Sequence, residues 1–393
     1  MNKYQLSTLL FRKPSTNWPT PTQELLVRAA VLEGDDSFHA CEEWLQRIAG
    51  KTIDENSRQL LPLLYKKFSE KVIGRTSFEI LKKEYQSVRL RTGLLFQAAR
   101  NPIQLLVEAG IPTMLLKGAA LSIRYYIDNG LRPMDDVDVL VTFMEARAAI
   151  DLLKRSGWMP DMELSGPFGE VFMCYSGSVG LKSMADFALD INWHLINLKC
   201  AVDADQEYWA EAVPIEFRGI PLLALSPTFQ LMHVCVHGMT HIPMSLKWIP
   251  DAAIILKRSS SDIDWDRLLS FVRVNNLVLP IRDTLFYLHD LLEMQIPEDV
   301  LTRLNALPTT VYEQREYYAL TSCYSESGSL PLLWALYNRH TRDQTKMGAP
   351  TLSFLQYLQI GWRLDRIWKV PFYFLYRVAK RVWNNMSGVL FKR

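Results

Sequence analysis

Apolar positions along this chain change their period twice. Up to about residue 109 they recur every three or four residues, the spacing of one face of an α-helix. From Thr22 onward, Leu25, Leu26, Ala29, Ala30 and Leu32 share one side, and Glu33-Gly34-Asp35-Asp36 breaks the pattern. Further helices are predicted from about Ala40 to Ile48, Asn56 to Lys67 and Ser77 to Ala109. Residues 1 to 20 carry several Pro, Ser and Thr and predict an irregular lead-in.

Between 111 and 225 the runs shorten to strand length. Ile111 to Leu116 is an apolar run long enough for one buried strand, and Ala119 to Ile127 reads as a helix closed by the turn signal Asn129-Gly130. Asp136-Val-Asp-Val-Leu-Val141 alternates as a second strand. Thr142 to Ser156 is an amphipathic helix stopped by Gly157, in the place of a crossover. Val171 to Tyr175 predicts a strand and Ser176 to Met184 a turn. Phe187 to Trp193 alternates as another strand, and 213 to 225 predicts a hairpin turning at Arg218-Gly219.

From Ser226 the helical period returns, opened by Ser as N-cap with Pro227 behind it. Helices are expected over 227–240, 246–257, 264–275, 279–294, 297–305, 311–322 and 350–390, with a polar connection near 338–350. The class is therefore α+β: a small mixed β-sheet flanked by N-terminal and C-terminal helical regions. The expected units are 1–107, 108–225, 226–310 and 311–393.

Composition changes this picture little. Forty-four Lys and Arg against 42 Asp and Glu leave a net charge of +2, which excludes a general affinity for nucleic acid. Five scattered cysteines, at 41, 174, 200, 235 and 323, form no CxxC pair and point to a reducing compartment. Leu9-Leu10-Phe11 is too short for a signal-peptide core, and no run of about 18 uncharged apolar residues exists. A cytoplasmic location is the expectation.

The candidate chemistry sits on the second strand. Successive strand side chains face opposite ways, so Asp136 and Asp138 share one face while Val137, Val139 and Asp135 point away from it. Two neighbouring carboxylates repel, and a divalent metal between them resolves the repulsion. Lys117-Gly118 ends the first strand. Gly permits close backbone approach to phosphate, the following helix N-terminus favours an anion, and Lys117 supplies a point charge.

A strand, a Gly-containing turn, a helix and a strand bearing Asp-x-Asp resemble the nucleotidyltransferase superfamily that includes DNA polymerase β. The set Leu116, Lys117, Gly118, Arg132, Asp136 and Asp138 resembles more narrowly a little-characterised bacterial branch with Leu-Lys-Gly, a helix and then Arg-x-x-x-Asp-x-Asp. The likeness extends over most of residues 55 to 260. It implies nucleotidyl transfer from a nucleoside triphosphate (NTP) with Mg²⁺ or Mn²⁺. Asp136 and Asp138 would hold metal, Lys117, Gly118 and Arg132 would bind the nucleotide phosphates, and a third acid on a neighbouring strand, Asp190, would complete the metal site. The branch carries Asp-x-His-Trp near that acid. Here Asp190 and Trp193 match, Asn192 replaces the His, and His194 follows. The second glycine or serine usual after the first turn is Ala119.

Asn192, His194 and His237 are expected in the cleft. His233, His237 and His241 stand four residues apart on one helix, yet no HExxH glutamate accompanies them and Gly238 interrupts the run, which disfavours zinc. Lys247 and Asp251 are spaced to pair along a helix within a Leu-x-Trp-x-x-Asp run read as packing. Residues 361–393 hold eight Lys or Arg, one Asp and interleaved aromatics, a segment suited to packing on the protein, to an RNA or acidic partner, or to peripheral contact with an inner membrane surface. The acceptor is not written in any motif. A sugar or sugar phosphate of a surface-glycan or natural-product pathway, a protein or tRNA as in toxin-like enzymes, and a non-catalytic scaffold that kept the fold all stay open.

Overall fold

The computed structural model describes residues 18–162, 164, 166–196, 201–240, 245–321, 330–346 and 351–390. The expected lead-in before residue 18, His241 and the end of the 338–350 connection lie outside them.

Seven strands form one mixed sheet: β1 (Met114–Leu115), β2 (Asp136–Leu140), β3 (Met159–Pro160), β4 (Ser178–Lys182), β5 (Ala188–Asn192), β6 (Val213–Phe217) and β7 (Ile220–Ala224), in the order β3-β4-β5-β2-β1-β7-β6. The β2–β5 and β1–β7 pairs are parallel and the others antiparallel. β2 is the central strand, so its side chains have neighbours on both flanks.

Alternation sorts the two faces. Val137, Val139, Leu189, Ile191, Val179 and Leu181 enter one apolar core, under the second half of the long Arg75–Glu108 helix (Leu95 to Leu106) and the Phe143–Arg155 helix. A second, larger core takes Leu140, Met114 and Leu116 from the sheet together with the N-terminal helices and the helices from Pro227 to Ala306. Residues from Leu26 to Tyr85 and from Leu225 to Leu304 thus contribute to one core. The Arg75–Glu108 helix joins the two cores, giving Leu81 and Tyr85 to one and Phe96, Ile103 and Leu106 to the other.

The hairpin turns at Arg218 and Gly219 as expected, with φ of 50° and 83°. Positive φ at both central residues gives a two-residue loop whose twist suits the flanking strands. Elsewhere the elements differ from expectation. Val171 to Tyr175 ends a helix, Gly166–Tyr175, instead of forming a strand; a five-residue apolar run carries no period that separates the two. The strand lies one step later, at Ser178–Lys182, inside the expected turn. Its Gly180 pairs with Asp190 across β4–β5, and a Cβ there would stand 3.2 Å from Asp190 Oδ1. Gly180 therefore marks a close approach to an acid, not a turn. Glu33-Gly34-Asp35-Asp36 ends one helix but also begins the next, Gly34–Ile48. The helix Leu330–Lys346 takes in residues 338–346 of the expected polar connection, and 350–390 splits into the helices Phe354–Gly361 and Lys369–Leu390. Among the described residues no helix is long and apolar enough to cross a membrane.

Candidate active site

β2 and β5 run parallel with Asp138 opposite Asp190, so alternation brings Asp136, Asp138, Asp190 and Asn192 to one face of the sheet's centre. The turn after β1 delivers Lys117 onto the same acids. Lys117 takes the left-handed φ of 41°, uncommon for a side chain with a Cβ, and its Nζ lies 2.5 Å from Asp138 Oδ1. Asn192 Nδ2 donates to the same oxygen at 3.3 Å. Asp138 is buried, at 3% exposure, and is held between a cation and an amide.

Among the described residues the other two acids have no such partner. Burial first, and the Asp138 charge second, push Asp136 up to about 6. Burial, then Asp138 and Asp136, push Asp190 up to about 7. Lys117 moves the other way from most buried lysines. Burial opposes its charge, but Asp138, Asp190 and Asp136 together hold its pKa above the usual value. One ammonium among three carboxylates leaves a surplus of negative charge aimed out of the sheet.

The helix that begins at Lys117 (Lys117–Arg124) has no side-chain cap at its N-cap, Leu116, so no side-chain oxygen there takes up its first N–H groups. The floor under this turn is Arg132. A Cβ on Gly118 would sit 2.6 Å from Arg132 Nη1 and 3.2 Å from Met134 Cβ, so glycine there permits a guanidinium to pack directly against the backbone.

Arg132 is not placed as the phosphate contact expected of it. Its Nη2 donates to Asp251 Oδ2 at 2.8 Å, its Nε donates to both Asp251 oxygens at 3.3 Å, and its Nη1 donates to the Pro133 carbonyl. Tyr126 Oη donates to Asp251 Oδ1 at 2.7 Å. Both charges are buried, the side chains 12% and 3% exposed. Asp251 comes from the Trp248–Ser259 helix, 119 residues away, and its partner is Arg132 instead of the expected Lys247.

Lys247, left without that partner, is a candidate site residue that the helical spacing did not mark. It precedes the Trp248–Ser259 helix at the acids' end. Burial and then the Arg132 charge lower its pKa, against the pull of Asp135, Asp251 and Asp136. A cation that is costly to bury, within reach of Asp136, is suited to an anionic ligand. The signal available in the sequence was the Leu246-x-Trp248-x-x-Asp251 run, whose aspartate is the one the arginine needs.

Of the expected cleft residues, Asn192 is in the site. His194 is not: β5 ends at Asn192, and the His194 ring is buried, its Nδ1 2.7 Å from Asp205 Oδ2 and its face stacked 5.7 Å from Phe143. His233 lies within the electrostatic reach of Lys117 and Asp138. It is fully buried, neither ring nitrogen has a hydrogen-bond partner, and burial, reinforced by the Lys117 charge, holds it down to about 3. His233 is therefore held in its neutral form near neutral pH. His237 is half-buried, its ring 5.7 Å from that of His233. Gly238 is required where the helices cross, since a Cβ would fall 2.2 Å from Trp248 Cγ.

Hard carboxylate oxygens on adjacent strands, two of them driven to hold protons, are the donor chemistry of a divalent-cation site. The donor set fits Mg²⁺ or Mn²⁺ in kind. In the conformation described, Lys117 supplies the positive charge, and no group of three His, Cys, Asp or Glu side chains among the described residues is drawn together to hold a metal ion. A recess of about 410 Å³ is lined by Arg89, Gly93, Ile127, Asp128 and Asn129, beside the loop before β2, with none of the three acids in its wall.

A family described as uncharacterised nucleotidyltransferase matches residues 56–293, more than half of the chain. Among solved structures, an antigenic nucleotidyltransferase-like protein from Paracoccidioides brasiliensis is similar at 15% identity over 56% of this chain and 97% of its own, with a TM-score of 0.29. No curated protein matches.

Proposed function

This chain belongs to the family of uncharacterised nucleotidyltransferases, and from that premise we propose that it moves a nucleoside monophosphate from a nucleoside triphosphate to an acceptor hydroxyl, using Mg²⁺ or Mn²⁺ held by Asp136, Asp138 and Asp190. The observation that carries this reading is the placement of three carboxylates on one face of the central strands, opposite an uncapped helix N-terminus and beside two lysines.

A bound cation would neutralise triphosphate charge and the charge that develops on the attacking and leaving oxygens. The chain's own groups account for the rest. Lys117 and the N–H groups of the Gly118 turn bind phosphate oxygens, and Lys247 adds a second point charge. The acceptor oxygen attacks the α-phosphorus. The bond from that phosphorus to the oxygen bridging to the β-phosphorus breaks, and its electron pair leaves with pyrophosphate. The hydroxyl proton passes to Asp190, the acid that the parallel register sets opposite Asp138.

Purified protein with each of the four nucleoside triphosphates and Mg²⁺ or Mn²⁺, followed by calorimetry, tests binding. An α-³²P label, offered with sugar phosphates, tRNA and the protein itself as acceptors, tests transfer. Asp136→Ala/Asp138→Ala is the control. The expected result is binding of at least one triphosphate that the double variant loses. No binding of any triphosphate with either metal overturns the proposal. The Lys117–Asp138 pair favours one second reading, a nucleotide-binding protein without catalysis in which lysine stands where a cation would. Metal-independent binding with no transfer to any acceptor selects it.

A further inference from the structure

The helix Lys369–Leu390 has an outer face that stands exposed among the described residues. Its inner stripe is short: Val370 is buried, Tyr373 and Phe374 are half-buried, Tyr373 lies 5.4 Å from the Trp362 ring, and the Arg377 guanidinium stands over that ring at 5.5 Å. Opposite to it, Phe372, Leu375, Tyr376 and Trp383 are 66%, 63%, 57% and 72% exposed, and Trp368, just before the helix, is 62% exposed. The positions 368, 372, 375, 376, 379 and 383 follow the i, i+4, i+7, i+8, i+11, i+15 spacing of one helical stripe. The apolar face is thus regular, aromatic and in water.

Charge indicates the occupant. From Arg366 to Arg393 the chain carries Lys and Arg but no Asp or Glu. At about 100° per residue, Lys369 and Lys380 fall along one edge of the aromatic stripe. The nearest acid, Asp365, is already taken by Lys369 through contacts of 2.6 Å and 2.8 Å. An apolar stripe edged with cations and free of acids fits an anionic bilayer surface. Aromatic rings enter the headgroup boundary there while lysines meet lipid phosphate. The segment is fixed to the sheet's edge as well. Arg363 Nη2 donates to Asp161 Oδ2 at 3.1 Å, and Asp161 N donates to the carbonyl of Gly180, the residue opposite Asp190.

We propose that the outer face of the Lys369–Leu390 helix docks on an anionic membrane surface, lying in the interface without crossing it. This reading stands whether or not the acid site transfers nucleotides.

Vesicle flotation of the full chain tests it, with phosphatidylcholine alone and with about one third phosphatidylglycerol, at low and high salt. Two variants are run beside it, Trp368→Ser/Phe372→Ser/Trp383→Ser and Lys369→Glu/Lys380→Glu. The expected result is recovery with anionic vesicles, little with neutral ones, and a loss of about tenfold in each variant. Far-UV circular dichroism shows that the variants remain folded. Equal recovery of wild type and both variants, or no recovery with anionic vesicles, overturns the proposal. So does a wild-type dimer that the aromatic variant dissolves, because a second copy then covers the face. RNA binding that both variants lose, without vesicle binding, overturns it as well.

Discussion

Arg132 and Asp251 form the ion pair on which the Lys117-Gly118 turn rests, and replacing Asp251 with alanine isolates that role. The variant leaves a buried guanidinium without its hydrogen-bonded carboxylate. It also strips Tyr126 Oη of the acceptor it meets at 2.7 Å. Breaking one side of a buried pair costs about 3–5 kcal/mol, and an orphaned buried hydroxyl adds about 1 kcal/mol. Against a typical stability of about 5–15 kcal/mol this is a large fraction. Most of the loss is the desolvation of the abandoned charge, not the worth of the pair. Replacing both partners, Arg132→Met/Asp251→Leu, should therefore recover most of it and stay within about 2 kcal/mol of the wild type.

Equilibrium urea unfolding followed by far-UV circular dichroism measures this, provided the slope is shared by all variants. A loss below about 1 kcal/mol in Asp251→Ala refutes the reasoning, as does a double variant no better than the single one. Nucleotide affinity separates a strut from a ligand-binding group. Because Arg132 supports Gly118 from below, Asp251→Ala should weaken triphosphate binding and the double variant should restore much of it. If Arg132 instead met phosphate directly, the double variant would bind no better than Arg132→Met alone.

Gly118→Ala should cost about 1–3 kcal/mol and weaken triphosphate binding, since the new Cβ would meet Arg132 Nη1 at 2.6 Å; unchanged calorimetry and unfolding would contradict this. Asp136 and Asp190 are raised to about 6 and about 7, so between about pH 4 and pH 7 the folded state keeps protons that the unfolded chain releases. The metal-free protein should therefore lose stability as pH rises through that window and level off above it. Asp190→Asn should flatten the slope and gain about 1–2 kcal/mol at pH 8 after allowance for solvent screening, while unfolding curves with identical pH slopes for wild type and variant would exclude it. Lys247→Ala should raise the triphosphate Kd roughly tenfold, about 1.4 kcal/mol, without loss of thermal stability; an unchanged Kd by calorimetry removes Lys247 from the site.

What was legible in the sequence is what local physics decides. Asp136 to Leu140 alternates because one face of a central strand packs on apolar helices, and that alternation alone puts Asp136 and Asp138 together. Arg218-Gly219 is legible because a tight hairpin demands positive φ at two adjacent residues. Gly180 was misread because a glycine is the same letter whether it makes a turn or gives room to an acid on the next strand. The Asp138–Asp190 register depends on which strand lies beside which, and alternation in each strand could suggest only that Asp190 faces the same way.

The cations show the limit most plainly. Spacing alone pairs Lys247 with Asp251, four residues apart on one helix, and leaves Arg132 free beside the acids. The fold does the reverse. A planar guanidinium can take both oxygens of Asp251 in a buried setting, and its weaker hydration makes that burial less costly than it is for an ammonium. Arg132 therefore goes inside, and Lys247, the compact and strongly hydrated charge, is left at the acids' edge. A positive charge beside the acids is present, on a different residue. The exchange follows from the chemistry of two side chains 115 positions apart, and it becomes visible only when the Trp248–Ser259 helix is set against the loop before β2.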